Sequence, residues 1–187
     1  MDCALRRSTG VNSAMTLPAA APARLALDFD ALYRGARDDV FAYVATLLHD
    51  RSAAEDVTAL AFERAFRKRK SFNPQRGSER SWLFGIARNA ALDELRRRRR
   101  IAELAAEPED VGAATPEESA EVALRRAALR EAMGRLDPRE RELVALKFFA
   151  GLDHAEIAAV LGVSESNAGT RLHRTMTKLR RACDEAA

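Results

Sequence analysis

Residues 153–179, DHAEIAAVLGVSESNAGTRLHRTMTKL, constrain the fold more than any other stretch of the chain. Asp153 can cap a helix whose Glu156 reaches back as the partner of a capping box, and Ile157, Val160 and Leu161 then share one face. Gly162 ends that helix, and Ser164 supplies a fresh cap two residues later. Beyond it Ala168, Leu172, Met176 and Leu179 recur at helical spacing. The opposite face carries Asn167, Thr170, Arg171, Arg174 and Lys178, a set of hydrogen-bonding and cationic groups. The stretch therefore reads as helix, glycine turn and second helix, and the second helix has the composition of a recognition helix. Ala/Leu-rich hairpins with glycine turns also occur in structural bundles, so the pattern leaves that alternative open.

Charge along the chain is organised in blocks. The formal net charge of the 187 residues is only +3. Residues 61–100, however, carry a net +9, whereas residues 101–124 hold 7 acidic and no basic groups. A concentrated basic block points to a polyanion partner. Cys3 and Cys183 stand near opposite ends without a CxxC or a nearby histidine, which suggests neither a disulfide framework nor a metal site. A reduced, cytoplasmic protein is the simple reading. No apolar run approaches the roughly 20 residues of a membrane helix. Arg6 and Arg7 are not followed by the hydrophobic region of an export signal.

Residues 1–26 are small, polar and Ala/Pro-rich, and are expected to be a disordered tail in which Met15 offers an alternative start. From Leu27 on, Phe29, Leu32, Tyr33, Val40, Phe41, Val44 and Leu48 supply apolar faces at helical spacing. Ser52 and Glu55 suggest a capping box opening a helix through Val57, Leu60, Ala61, Phe62, Ala65 and Phe66. KRKSFNPQRGSER then breaks the period with Pro74 and Gly77, predicting a loop of about ten residues. A helix resumes with Trp82, Ile86, Ala90 and Leu95 or their neighbours inward.

The loop has two readings. Its cations suit a solvated connector. Yet Phe72, Asn73, Gln75, Arg76 and Arg80 together also provide a stacking ring, amides and backbone-neutralising charge, the three means by which single-stranded bases are held. Arginines 96–100 suit a targeting or solvated run, and they complement the dipole at a helix C-terminus. Residues 101–119, acidic and containing Pro108, Gly112 and Pro116, read as a flexible linker.

Periodicity returns near Ala120 with Val122, Leu124, Leu129, Met133 and Leu136. Asp137, Pro138 and Glu140 then give a cap, a helix-first proline and a capping-box partner in succession. Leu143, Val144 and Leu146 fill the inner face of that helix, with Phe148 and Phe149 closing it before Gly151. The sequence thus predicts an all-α chain of two small helical domains, 27–100 and 120–187, the second ending in the helix-turn-helix. His49, His154 and His173 are scattered without ligand spacing, and no phosphate-binding glycine loop is present. No catalytic residue, metal or cofactor is expected.

Two blocks resemble a known family. SAAEDVTALAFERAFRKRKSFNPQRGSERSWLFGIARNAALDELRRRRR is similar to region 2 of bacterial extracytoplasmic-function sigma factors, and LDPRERELVALKFFAGLDHAEIAAVLGVSESNAGTRLHRTMTKLR is similar to their region 4. The resemblance implies a protein that has no activity alone but binds core RNA polymerase and directs it to promoters. Asp56, Ala59, Leu60, Glu63 and Arg64 would dock on the clamp coiled coil of the largest subunit. Region 4 would meet the flap of the second subunit. Phe72, Asn73, Gln75, Arg76 and Arg80, backed by Arg88 and Asn89, would capture a flipped base of the minus-10 non-template strand. Ser166, Asn167, Thr170 and His173 would approach base edges of the minus-35 element, while Arg171, Arg174 and Lys178 hold phosphates. The acidic linker would thread toward the RNA exit path. Family habit also implies an anti-sigma partner, which can keep such a protein at the inner face of the membrane.

Two departures accompany the resemblance. Ala59 and Leu60 stand where relatives commonly carry Gln-Glu, making the polymerase contact more apolar. Gly85 and Ile86 occupy the positions of the tryptophan pair with which housekeeping sigma factors wedge the duplex open. The rival reading is a helix-turn-helix repressor or activator that binds duplex operators without core polymerase; a structural helical adaptor is a third.

Overall fold

The computed structural model describes the backbone of residues 27–104 and 120–186; the expected tail and most of the expected linker lie outside them. Seven α-helices make up the fold, with no strand among the described residues: α1 (Phe29–Leu48), α2 (Arg51–Lys68), α3 (Glu79–Leu104), α4 (Ala120–Gly134), α5 (Pro138–Phe148), α6 (His154–Leu161) and α7 (Glu165–Ala186).

Side chains close to each helix end determine where it starts and stops. Asp28 caps α1 by accepting from the Ala31 N–H at 3.0 Å. His49 ends it in the left-handed region at φ 54°. The cap of α2 is Asp50, which accepts from the Ala53 N–H at 3.1 Å. Ser52 thus falls inside the helix, and the expected box with Glu55 does not form. The chain leaves His49 already turned, so the extended residue that precedes the first turn is Asp50; Glu55 pairs instead with Arg51 at 3.2 Å. The capping boxes Asp137–Glu140 and Asp153–Glu156 both form as the sequence predicts. Gly162 ends α6 at φ 68°, and the Asn167 N–H donates to Ser164 Oγ at 3.3 Å at the start of α7. α3 runs four residues into the expected linker, since IAEL contains good helix formers and the first breaker is Pro108.

Helices α1–α3 pack as one bundle and α4–α7 as a second, and the two bundles meet through α1 against α5 and α3 against α6. Val40, Tyr43, Leu83, Phe84 and Ala87 of the first bundle and Leu143, Leu146, Leu152 and Ile157 of the second belong to one continuous buried core. A smaller core joins Ala132, Leu136, Val144, Leu179 and Ala182. On α7 the buried residues Ala168, Leu172, Thr175, Leu179 and Ala182 recur at intervals of three or four, which leaves the other face to solvent.

Not every expected inner residue is inside. Phe66 remains 48% exposed, packed edge-on to Phe29 at 5.2 Å beneath the Arg69 guanidinium. Phe148 is 61% exposed, because it lies about 200° round the helix from fully buried Leu146.

Candidate nucleic-acid interfaces

The first interface is the exposed face of α7. Ser166, Asn167, Thr170, Arg171, His173, Arg174 and Lys178 are all exposed, on the side away from Leu172 and Leu179. Lys178 is not idle: its Nζ reaches Glu140 Oε2 at 2.6 Å, tying the helix to the start of α5. Arg171 and Arg174 border a hollow of about 450 Å³ whose lining mixes Arg139 and Arg88 with the carboxylates of Asp137, Glu140 and Glu142.

The second interface is the segment between α2 and α3. It contains two short 3₁₀ turns, Arg69–Ser71 and Pro74–Arg76, in place of an irregular loop. Asn73 Oδ1 accepts from the Gln75 N–H at 3.0 Å, so its carbonyl shapes the turn while its amide NH₂ faces outward from that bond. Gly77 has φ 143°, and a Cβ there would meet Ser81 Oγ at 2.8 Å, so only glycine fits. Ser78 Oγ then accepts from the Ser81 N–H at 3.1 Å and starts α3. The Phe72 ring packs tilted on Trp82, with centroids 5.5 Å apart.

Phe72, Asn73, Arg76 and Asn89 line one hollow of about 530 Å³, together with Trp82, Gly85 and Ile86. It offers aromatic faces, amides and one guanidinium within a single concavity. Gln75 is exposed outside it. Ala159 and Val160 of α6 close one wall.

Arg80 and Arg88 do not join that set. Arg80 Nη2 lies 2.7 Å from Asp39 Oδ2, its Nε donates to the Ala150 carbonyl at 2.8 Å, and Nη2 also reaches the Phe149 carbonyl at 3.1 Å. It thereby satisfies carbonyls at the C-terminal end of α5, where a cation also complements the helix dipole. Arg88 Nε donates to Glu142 Oε1 at 2.6 Å, and the Tyr43 hydroxyl donates to the same oxygen at 3.2 Å. Burial pushes the Tyr43 phenol well above its ordinary value, and the Glu142 charge adds to the effect. Glu142 and Tyr43 carried no signal in the sequence, because a glutamate among apolar neighbours is ordinarily read as solvent-facing.

The arginine run 96–100 has internal partners. Arg96 pairs with Asp93 at 3.1 Å, Arg97 with Glu94 at 2.7 Å, and Arg98 with Asp50 at 2.7 Å and Glu94 at 2.9 Å. Hydrogen bonds from Arg97 and Arg98 hold the Glu94 carboxyl down to about 2.

On α2, Asp56, Ala59 and Glu63 are exposed, whereas Leu60 and Arg64 are half-buried. Glu63 pairs with Arg67 at 2.6 Å and Arg64 with Asp93 at 3.1 Å. Beside them, the buried Thr58 Oγ1 has no hydrogen-bond partner. Among the described residues, no group of three or more His, Cys, Asp or Glu is placed to hold a metal, and no helix is long and apolar enough to cross a membrane.

Comparison with known proteins gives this geometry a context. Residues 32–101 match the model of sigma-70 region 2, and residues 126–179 match that of sigma-70 region 4. The chain belongs to the extracytoplasmic-function sigma factors. It is 34% identical over 162 residues to the sigma factor BldN of Streptomyces coelicolor, covering 85% of this chain and 61% of that protein. It is 31% identical over 159 residues to SigL of Mycobacterium tuberculosis, covering 83% of this chain and 88% of that one. The sigma factor thus spans about three-fifths of the first of these relatives and most of the second. Its fold matches the Bartonella quintana sigma factor RpoE, solved with the anti-sigma factor NepR, at a TM-score of 0.71 and 22% identity over 84% of this chain and 97% of that one. It also matches CnrH, solved with the cytosolic domain of CnrY, at a TM-score of 0.60 and 27% identity over 85% and 89%.

Proposed function

We propose that this sigma factor binds core RNA polymerase and directs it to promoters, reading the minus-35 element as duplex and the minus-10 element as a single strand. The observation that supports this reading is that one chain of this family carries two differently built surfaces, each with side chains suited to nucleic acid. The α7 face offers short polar side chains flanked by cations, the combination that reads base edges in the major groove while gripping phosphates. The hollow of Phe72, Asn73, Arg76 and Asn89 suits an unstacked base, held by ring stacking and amide bonds. Gly85 and Ile86 line that hollow in place of an indole pair, and its one indole, Trp82, is packed on Phe72, so opening depends on capture of the extruded base.

The exposed strip Asp56, Ala59 and Glu63, with Leu60 and Arg64 at its edge, serves as the docking face for the polymerase clamp, and region 4 as that for the flap. The domains divide these tasks, residues 27–100 for the clamp and minus-10 element and residues 120–187 for the minus-35 element. The protein performs no catalysis and requires no cofactor or metal. It acts in the cytoplasm, with an anti-sigma protein as its inhibitor; the similarly folded sigma factor RpoE was solved with the anti-sigma factor NepR, and CnrH with the cytosolic domain of CnrY. In vitro transcription with core polymerase on a promoter library tests the reading. Promoter-specific transcripts sharing two spaced elements are expected. An absence of such transcripts, with no co-purification of core polymerase, overturns it.

A further inference from the structure

We propose that Asn73 sets the base preference of the Phe72 hollow as a hydrogen-bond donor of fixed polarity, its side-chain NH₂ meeting an acceptor atom on the edge of the captured base. This rests on the proposed role of the hollow in strand capture and adds to it the sign of one contact.

The polarity of an asparagine is ordinarily undecided, because its amide carries a carbonyl on one side and an NH₂ on the other and can turn either toward a ligand. At Asn73 the turn decides it. Pro74 holds the residue before it extended, at φ −128° and ψ 109°. Proline has no N–H, so the first donor of the turn Pro74–Arg76 is that of Gln75, and Asn73 Oδ1 accepts it at 3.0 Å. The Asn73 main-chain carbonyl accepts from the Arg76 N–H, also at 3.0 Å, so the residue is tied at both of its oxygens. Turning the amide over would set the NH₂ against the Gln75 N–H, two donors face to face with the acceptor of the turn lost. Nδ2 makes no hydrogen bond among the described residues, and it is the polar group that Asn73 has left for the hollow it lines.

The other polar groups on the hollow differ in kind. Arg76 is exposed, makes no ion pair among the described residues and can only donate. Asn89 is exposed, with neither end of its amide engaged among the described residues, so it turns to suit the base that arrives. Asn73 and Arg76 thus present donors whatever the base, while Asn89 adapts. The hollow is open to solvent at all three.

A donor fixed in this way separates bases of one size. Thymine and cytosine fill nearly the same space but carry opposite polarity at the exocyclic group and at the ring nitrogen beside it, and guanine and adenine differ in the same way. A base that turns its own N–H toward the Asn73 NH₂ leaves both donors unpaired, a penalty of about tenfold. Stacking tolerates every base and adds little within a size pair.

Transcription in vitro with core polymerase, on a promoter library randomised across the minus-10 element, tests the assignment. The readout is the ratio of transcripts within each size pair at each position, in which a general loss of affinity cancels. Asn73→Asp keeps the oxygen that accepts from Gln75 and replaces the NH₂ with a second oxygen that only accepts. At one position it should move the preference to the same-size base of opposite polarity, by about tenfold in the other direction. Asn73→Ser keeps an oxygen for the turn but has no amide, and at that position the two bases should be used about equally. Both residues suit such a turn, so Tm and helical circular dichroism should match wild type. A fall in Tm for both would overturn the premise that the oxygen alone serves the turn. Wild-type preference retained by either variant overturns the proposal, as does a wild type indifferent within both size pairs at every position. These outcomes leave promoter recognition standing, whereas absence of promoter-specific transcription by the wild type overturns the strand-capture reading itself.

Discussion

Arg88 and Glu142, 54 residues apart in sequence, meet at 2.6 Å with their side chains 23% and 10% exposed. A guanidinium on the first bundle and a carboxylate on the second thus neutralise each other away from most solvent. Tyr43 completes the arrangement, and each member gives a measurable consequence.

Tyr43→Phe keeps the ring against Phe84 but removes a hydroxyl that donates to a buried charge. A loss of about 1–2 kcal/mol is expected in chemical denaturation. The phenol also sets an alkaline limit. Its folded pKa is raised, so its contribution is complete below the ordinary phenol value near 10 and fades as pH rises beyond it. In a Tyr33→Phe background, phenolate absorbance should appear only together with loss of helical signal. Phenolate formation in a fully helical protein would contradict the burial of Tyr43.

Glu94 behaves in the opposite sense. Arg97 and Arg98 lower its folded pKa from 4.5 to about 2, so the stabilisation is present above pH 4.5 and lost as pH falls toward 2. Glu94→Gln should therefore lower Tm at pH 7 and leave it unchanged near pH 2. Equal effects at both values would show that the carboxylate charge is not what the arginines use.

Thr58→Val replaces an unpartnered buried hydroxyl with a methyl of the same shape. The change is expected to be neutral or to stabilise by up to about 1 kcal/mol. A loss larger than that would mean the hydroxyl has a partner.

On the proposed minus-35 face, Arg171→Ala should weaken all promoters about equally and reduce the log-log salt slope by about 0.9. Asn167→Ala should alter sequence preference at a cost of about 1–3 kcal/mol. Unchanged preference after loss of the Asn167 amide would reassign the reading face.

On the proposed minus-10 surface no indole pair stands at Gly85 and Ile86, so opening by base capture predicts strict promoter demands. Run-off transcription on single-base minus-10 variants measures this. Tolerance of most substitutions would count against base capture.

The sequence was most legible where structure depends on near neighbours. Asp137 with Glu140 and Asp153 with Glu156 lie three residues apart, and the hydrogen bonds they make are settled within one turn. The choice between Ser52 and Asp50 was not local in that sense, because it depended on where α1 released the chain. In the Phe72 hollow, neighbouring residues pointed to one another, whereas Asn89 entered only through resemblance to the family. Glu142 was hidden for a physical reason. Its burial is acceptable only because Arg88 and Tyr43 arrive from 54 and 99 residues away, and no periodicity within α5 encodes that arrival. The same distance conceals why Arg80 stands apart from its sequence neighbours.

The extension of α3 to Leu104 shortens the connection between the helices to residues 105–119. Fifteen residues span at most about 50 Å, which holds the two bundles at an effective concentration on the order of 1 mM. The contacts of α1 with α5 and of α3 with α6 are thus made within one tethered chain, and their strength depends on the connection as well as on the buried core. Because effective concentration falls roughly as the 3/2 power of tether length, the four residues that α3 takes from a connection of 19 raise it about 1.4-fold.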